Sequence, residues 1–402
     1  MIATLIIFVA TYLVVAVGRV PGLRLDRTGA ALIGAALMVA TGALAPADAY
    51  RAIDFDTLVL LLGMMMVVAN LRLAGFFGLC HALIASRAHR PAVLLIGITA
   101  IAGTLSAVLV NDTVCLMLTP LVIDSVRGLG RNPVPYLLAL ATASNAGSSA
   151  TMIGNPQNMM IGSISGISYA DFAAQLAPVA AAALAIIVAV IVVVWRREFL
   201  PAARIEAGEP FVVVNRALLV KTLLVTIAII AACFLGVAPA LAAILGGSLL
   251  FVTRRIKPQR VYRDIDWSLL LLFVGLFVVV AAMERAVLTP ERLAHVRDLP
   301  LNQTVVLALT TAVLSNLVSN VPAVLVLKPL VAHLTDPRHG WLVLGMASTL
   351  AGNFTILGSV ANLIVVQGAE RRGVKIGFWT YFLIGAPVTL VSLAFGTLWL
   401  SR

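Results

Sequence analysis

Two short polar steps cut otherwise apolar blocks of this 402-residue chain: Asn111-Asp112 within 91–126 and Ser319-Asn320 within 303–332. Two longer interruptions follow them, "SNAGSSATMIGNPQN" from Ser144 to Asn158 and "STLAGNFTILGSVAN" from Ser348 to Asn362. Glycine admits positive φ and proline lacks an N–H, so Gly-Asn-Pro at 154–156 unwinds a helix locally. Carboxamides, hydroxyls, freed carbonyls and half-helix ends are ligands for small ions and polar solutes. The candidate binding residues are therefore Asn111, Asp112, Thr151, Gly154, Asn155 and Asn158 in the first set. Ser319, Asn320, Thr355, Gly358, Ser359 and Asn362 form the second. The alternative is that these groups only cap helix ends and satisfy their neighbours. Asp112 is the one carboxylate at such a tip; its counterpart is Val321. A charge at the centre of a spanning helix costs about 3 kcal/mol on insertion scales and is usually kept for an ion or proton path. Asp112 is thus expected to bind the coupling cation or take the coupled proton, the alternative being a buried cap on the leg that follows. Asn111, Asp112 and Asn320 are candidate sodium ligands, and no other metal site is expected.

The remaining polar residues suggest less. Lys328 falls eight residues past Asn320, about 12 Å along a helix, and is expected to snorkel to the outer interface. Asp54 and Asp266, each before an aromatic residue, read as helix N-caps, and Asp124 as a surface partner of Arg127. The five histidines lack ligand spacing, and Cys80, Cys115 and Cys233 lack a C-x-x-C arrangement, so they read as packing residues. Neither G-x-x-x-x-G-K-[ST] nor H-E-x-x-H occurs, which argues against an enzyme. Any ATP-driven step would need a separate soluble ATPase, which the sequence does not identify.

The elements that must position these residues are apolar helices. The chain is 61% hydrophobic and 11% charged, with mean hydropathy +1.06, against roughly 25% charged in soluble domains. An all-α polytopic membrane protein follows, embedded in the lipid bilayer. Stretches near the ~20 residues a span needs occur at 2–18, 28–46, 57–73, 135–163, 173–195, 217–236, 240–253, 267–284, 341–366 and 378–400. The first reads as a span rather than a cleaved signal. The blocks 91–126 and 303–332 are expected as re-entrant hairpins, because their second legs measure only about 12 to 14 residues, some 20 Å. Ten spans and two hairpins sort the charge. Loops at 19–27, 72–90, 127–131, 196–221, 254–263 and 371–375 hold 21 of the 28 basic residues. That side is cytoplasmic by the positive-inside rule, and both termini lie outside. The net charge of +11 thus reports topology rather than nucleic acid.

The chain also repeats itself. "GRVPGL" at 18–23 matches "GVAPAL" at 236–241, "IDFDTLVLLLG" at 53–63 matches "IDWSLLLLFVG" at 265–275, and "SAVLVNDTVCLMLTPLV" at 106–122 matches "SNLVSNVPAVLVLKPLV" at 315–331. The polar stretches opened above align as well, with Thr151, Gly154 and Asn158 on Thr355, Gly358 and Asn362. Five spans per half make the repeats inverted. The first covers 1–200, with scaffold 1–90 and hairpin plus broken helix 91–195. After a cytoplasmic linker at 201–216, the second covers 217–402, with scaffold 217–300 and hairpin plus broken helix 301–402. Inverted repeats with interrupted helices point to a secondary transporter whose site lies at the midplane. A passive channel with paired half-helices is the competing class.

"LVNDTVCLMLTPLV", "SNAGSSATMIGNPQN" and "LAGNFTILGSVANLIV" resemble the ion transporter superfamily, in particular its arsenite/antimonite permease and sodium–proton antiporter branch and, more distantly, the divalent anion:sodium symporters. The resemblance spans nearly the whole chain. It implies a plasma-membrane, elevator-type carrier in which 91–195 and 301–402 move against a scaffold that commonly dimerises. In the anion symporters the hairpin tips read Ser-Asn-Thr and help bind sodium. Asn111, Asn320 and Ser319 match that pattern, whereas Val110, Asp112 and Val321 depart from it. The Asn-Asp tip resembles the arsenite permease pattern and favours proton coupling. Asn155 stands where many relatives carry Asp. The resemblance thus implies a small inorganic or carboxylate anion or an arsenite-like solute, coupled to H+ or Na+ with no other cofactor. Arsenite as neutral As(OH)3 would suit a carboxamide- and hydroxyl-lined site without Arg, whereas a carboxylate or oxyanion could use helix N-termini. A sodium–proton antiporter is the alternative.

Overall fold

The computed structural model describes residues 2–17, 25–87, 90–199, 213–252, 256–286 and 300–402. The 18–23 repeat motif, most of the 201–216 linker, and Arg19, Arg204, Arg254, His89 and His295 therefore lie outside the described residues.

The first half runs α1 (Ile2–Val17), α2 (Arg27–Ala40), α3 (Pro46–Ala52), α4 (Phe55–Ala74), α5 (Phe76–Arg87), α6 (Pro91–Val108), α7 (Asn111–Gly128), α8 (Pro133–Ser148), α9 (Pro156–Ile164) and α10 (Tyr169–Val194), followed by the single turn α11 (Arg196–Phe199). The second half runs α12 (Arg216–Phe234), α13 (Pro239–Leu249), α14 (Pro258–Asp264), α15 (Trp267–Ala286), α16 (Thr304–Val318), α17 (Asn320–Val331), α18 (Pro337–Ala351), α19 (Val360–Glu370) and α20 (Phe378–Leu400). Proline at the first helical position, where its missing N–H is no loss, starts α3, α6, α8, α9, α13, α14 and α18. Asp54 caps α4 by accepting from Asp56 N and Thr57 N, and Asp266 accepts from Leu269 N, as their positions predict.

Packing follows the repeat. In one group α4 lies on α13 and α2 on α15, an exchanged pair from the two halves, with α1 on α2 and α12 on α13. In the other, α6, α7 and α10 surround α8 just as α16, α17 and α20 surround α18, and α10 packs on α20. Both interrupted stretches break as expected: 135–163 is two helices, α8 and α9, and 341–366 is α18 and α19, separated by turns at 149–155 and 352–359.

Several expectations change. Among the described residues six helices, α4, α6, α10, α12, α15 and α20, are long and apolar enough to cross a membrane. α1, α2 and α13 have only 16, 14 and 11 residues. The leg α7 has 18 residues rather than 12 to 14, about 27 Å, because the helix continues through Asp124 and Arg127 to Gly128. The leg α17, with 12 residues, matches the short-leg expectation. Residues 76–87, read as part of a basic loop, form α5, which packs on α4, α6 and α7. Asp124 pairs with Arg372 of the other half at 2.6 Å, not with Arg127.

Candidate functional site

The two breaks meet through a layer of buried carboxamides and hydroxyls. In the first half Asn158 turns back on the break, its Nδ2 donating to Ser148 O (3.2 Å) and Thr151 O (3.1 Å). In the second, Asn362 Nδ2 donates to Gly352 O (2.7 Å) and Thr355 O (3.0 Å), the positions aligned with Ser148 and Thr151. One residue type at one register thus supplies the donors that carbonyls leaving a helix require. Asn155 and Ser359, also aligned, are the N-caps of α9 and α19, accepting from Asn158 N and Ala361 N.

The hairpin tips dock on these breaks. Asn111 N donates to Gly154 O (3.1 Å). Asn320 is best satisfied with its amide nitrogen facing Gly358 O (3.1 Å), Ser348 O (3.1 Å) and Ser315 Oγ (2.8 Å), and its carbonyl accepting from Gln157 Nε2 (3.3 Å). Thr151 Oγ1 donates to Ala107 O on the first hairpin. Gly154 is obligatory here. A Cβ on it would lie 2.3 Å from Ser148 O and 2.8 Å from Ser106 O, both backbone atoms.

The halves are sewn together by two residues absent from the predicted set. Asn145 Nδ2 donates to Asn353 Oδ1 and Asn362 Oδ1 (both 2.9 Å), while its Oδ1 accepts from Ser359 Oγ (2.9 Å) and Asn111 Nδ2 (3.1 Å). The residue aligned with it, Thr349, accepts from Asn155 Nδ2 (3.2 Å) and Gln157 Nε2 (3.1 Å). Each half's unbroken helix end therefore binds the other half's break. Both residues lie inside quoted motifs, yet an Asn aligned with a Thr leaves no identity for a repeat search to find. Asn111 Oδ1 is a buried acceptor without a partner among the described residues, a costly state unless a donor or cation is to occupy it.

The predicted residues separate into two layers. Asn111, Asp112, Ser319, Asn320 and Ser359 line a cavity of about 510 Å³, counting space open to solvent, together with Gln157 and Arg27. Thr151, Gly154, Asn155, Asn158, Thr355, Gly358 and Asn362 stand behind and brace it. Most of the cavity wall comes from the caps and first turns of α7, α9, α17 and α19, while α1, α2 and α15 supply Val15, Arg27, Leu269 and Leu272. Four helix N-termini, each equivalent to roughly half a positive charge, face one space. Asp112 also lines a second cavity of about 650 Å³, likewise counted with open space, alongside Asp266 and the Arg72–Asp264 ion pair (2.9 Å). It thus separates a carboxylate-bearing chamber from a carboxamide-lined one. Among the described residues no cluster of His, Cys, Asp and Glu could hold a metal ion.

Comparison with known proteins agrees with this architecture. The chain is 31% identical to an uncharacterised transporter of Mycobacterium bovis, covering 98% of this chain and 96% of the relative. It is 30% identical to a silicon efflux transporter of Oryza sativa (94% and 93% covered) and 24% identical to a Dictyostelium discoideum transporter named arsB (93% and 87%). Among solved structures the Alcanivorax borkumensis YdaH transporter superposes with a TM-score of 0.64 over 99% of this chain and 95% of that one, at 16% identity, a likeness of fold. A family model described as citrate transporter matches residues 5–340, and the chain belongs to that family.

Proposed function

We propose that the protein is a secondary active transporter that moves a small anion or oxyanion across the plasma membrane, coupled to a proton or sodium gradient. The observation that carries this is the cavity wall of four helix N-termini, an arrangement that favours negative charge without a resident metal. Coupling is assigned to Asp112, which can carry a proton or cation between the two chambers it borders. The exchanged pairs of α2 with α15 and α4 with α13 form a scaffold, and the two hairpins with their broken helices move against it as an elevator. The basic side is cytoplasmic and both termini are outside, in a chain that dimerises through its scaffold. The citrate transporter family, the silicon efflux relative and the relative named arsB, with the arsenite permease resemblance, suggest the first substrates to try.

The test is flux into proteoliposomes. Citrate, phosphate, arsenous acid and silicic acid are each offered under an imposed sodium gradient or an imposed proton gradient. At least one should accumulate above its own equilibrium and saturate. Transport that only equilibrates would identify a channel. Sodium–proton exchange with none of the four solutes moving would establish the antiporter reading, which the carboxylates around Asp112 favour.

A further inference from the structure

In the sequence Arg27 is one of the basic residues of the 19–27 loop that set topology. The structure places it in the first turn of α2, half-buried, on the wall of the same cavity as Asn111, Asn320 and Ser359. Among the described residues that line the cavity it is the one full positive charge, and Asp112 is the one full negative charge. Neither forms an ion pair among the described residues, although six such pairs occur elsewhere. The adjacent carboxylate does not serve Arg27 either. Asp26 Oδ1 is the N-cap of α2 and accepts from Gly29 N at 2.8 Å.

A partly desolvated guanidinium without a carboxylate forfeits hydration it does not recover. Structural reasons for that position are weak, since Thr28, not Arg27, ties the start of α2 to α15, through Ser268 O at 3.0 Å. Guanidinium presents a planar fork of donors that matches two oxygens of one carboxylate or oxyanion, which an ammonium does not. Arg27 and the four helix N-termini line one space from opposite packing groups, α2 on one side and α7, α9, α17 and α19 on the other.

We propose that Arg27 is the specificity-determining residue of this cavity, selecting a substrate that is negatively charged when bound, a carboxylate or charged oxyanion, over a neutral hydroxy acid. The proposal rests on the anion-carrier reading above and narrows it. Because Arg27 belongs to the scaffold group, it completes the site only when the hairpins stand at the level seen here.

The experiment measures binding to the purified full-length protein in detergent, by thermal-midpoint shift titrated with citrate and phosphate as anionic probes and arsenous and silicic acid as neutral ones, for wild type, Arg27→Gln and Arg27→Lys. Wild type should be stabilised by an anionic probe. Arg27→Gln should lose at least tenfold in apparent affinity for that probe and less than twofold for any neutral one, and Arg27→Lys should fall between. If the Gln variant is not monodisperse, Arg27→Lys carries the test, with a loss of at least threefold expected. Equal anion affinity in the variants, stabilisation by neutral probes only, or no stabilisation of wild type by any probe overturns the proposal. The transport reading fails separately. Arg27-dependent binding without uphill flux removes the carrier and keeps the site, whereas uphill anion flux untouched by Arg27→Gln removes the site and keeps the carrier.

Discussion

Ser319 occupies backbone space that other side chains avoid. At φ 77° and ψ 162° it is the only non-glycine residue with positive φ among the described residues, and it forms the single-residue link between α16 and α17. That region is essentially reserved for glycine and costs about 1–3 kcal/mol. The strain sits on the cavity wall, where a hydroxyl beside the Asn320 tip has a use that a glycine could not serve. Ser319→Gly should therefore stabilise the protein by about 1 kcal/mol once glycine's own entropy of ~0.5–1 kcal/mol is subtracted, read as a higher unfolding midpoint in detergent, while slowing transport. A lower midpoint would show that the hydroxyl stabilises the tip instead. Asp112 makes the complementary prediction. Asp112→Asn cannot exchange a proton, so accumulation driven by the proton gradient should drop at least tenfold and its dependence on pH should flatten, with downhill flux retained. Full coupled transport with an unaltered pH profile would remove Asp112 from the coupling step. How far single residues could be read from sequence depended on recurrence. The pairs Asn111/Asn320 and Asn158/Asn362 are visible because both copies kept the carboxamide. Asn145 and Arg27 are not: one is aligned with Thr349, and the other looks like any cytoplasmic loop cation until α2 is packed against α15.

The broken helices work as joints because their turns have no room for a side chain. A Cβ on Gly154 would meet two backbone carbonyl oxygens, one from the end of α8 and one from the first hairpin, so neither can step aside as a flexible side chain would. Gly154→Ala should thus displace the Asn111 tip, destabilising the protein by about 1–3 kcal/mol and abolishing uptake. Gly128→Ala, at the end of α7 with nothing within 4 Å of the added methyl, serves as the control and should be neutral in both thermal midpoint and flux. Equal behaviour of the two variants would mean the break tolerates a shift. Helix starts carry a sequence signal, since prolines at 91, 133, 156, 239 and 337 begin helices where the backbone needs no donor. The spans expected from 135, 240 and 341 begin within four residues of three of them. Helix ends were less legible. α7 runs to Gly128, and near its end Asp124 pairs with Arg372 in the other half, a partner 248 residues away that no local pattern can reveal.

Across the whole molecule the question is whether the two packing groups move relative to one another. Among the described residues they touch at few polar points, and one is well defined: Ser163 Oγ, at the end of α9, donates to Asp54 Oδ1, the cap of α4, at 3.0 Å. A rigid pore keeps this contact throughout its cycle, whereas a carrier that slides its hairpins along the scaffold must break it on every turnover. Cysteines at both positions, in a background where Cys80, Cys115 and Cys233 are replaced by alanine, should therefore form a disulfide under mild oxidation. The cross-linked protein should lose uptake, and reductant should restore it. Losing the Asp54 cap costs about 1 kcal/mol, so uptake by the reduced double variant sets the baseline. Single variants treated with the same oxidant should be unaffected. If cross-linking proceeds to completion and flux continues at the reduced rate, the two groups do not move past each other at this point. Solute would then have to pass through a static cavity, and the channel would become the better account of the paired half-helices.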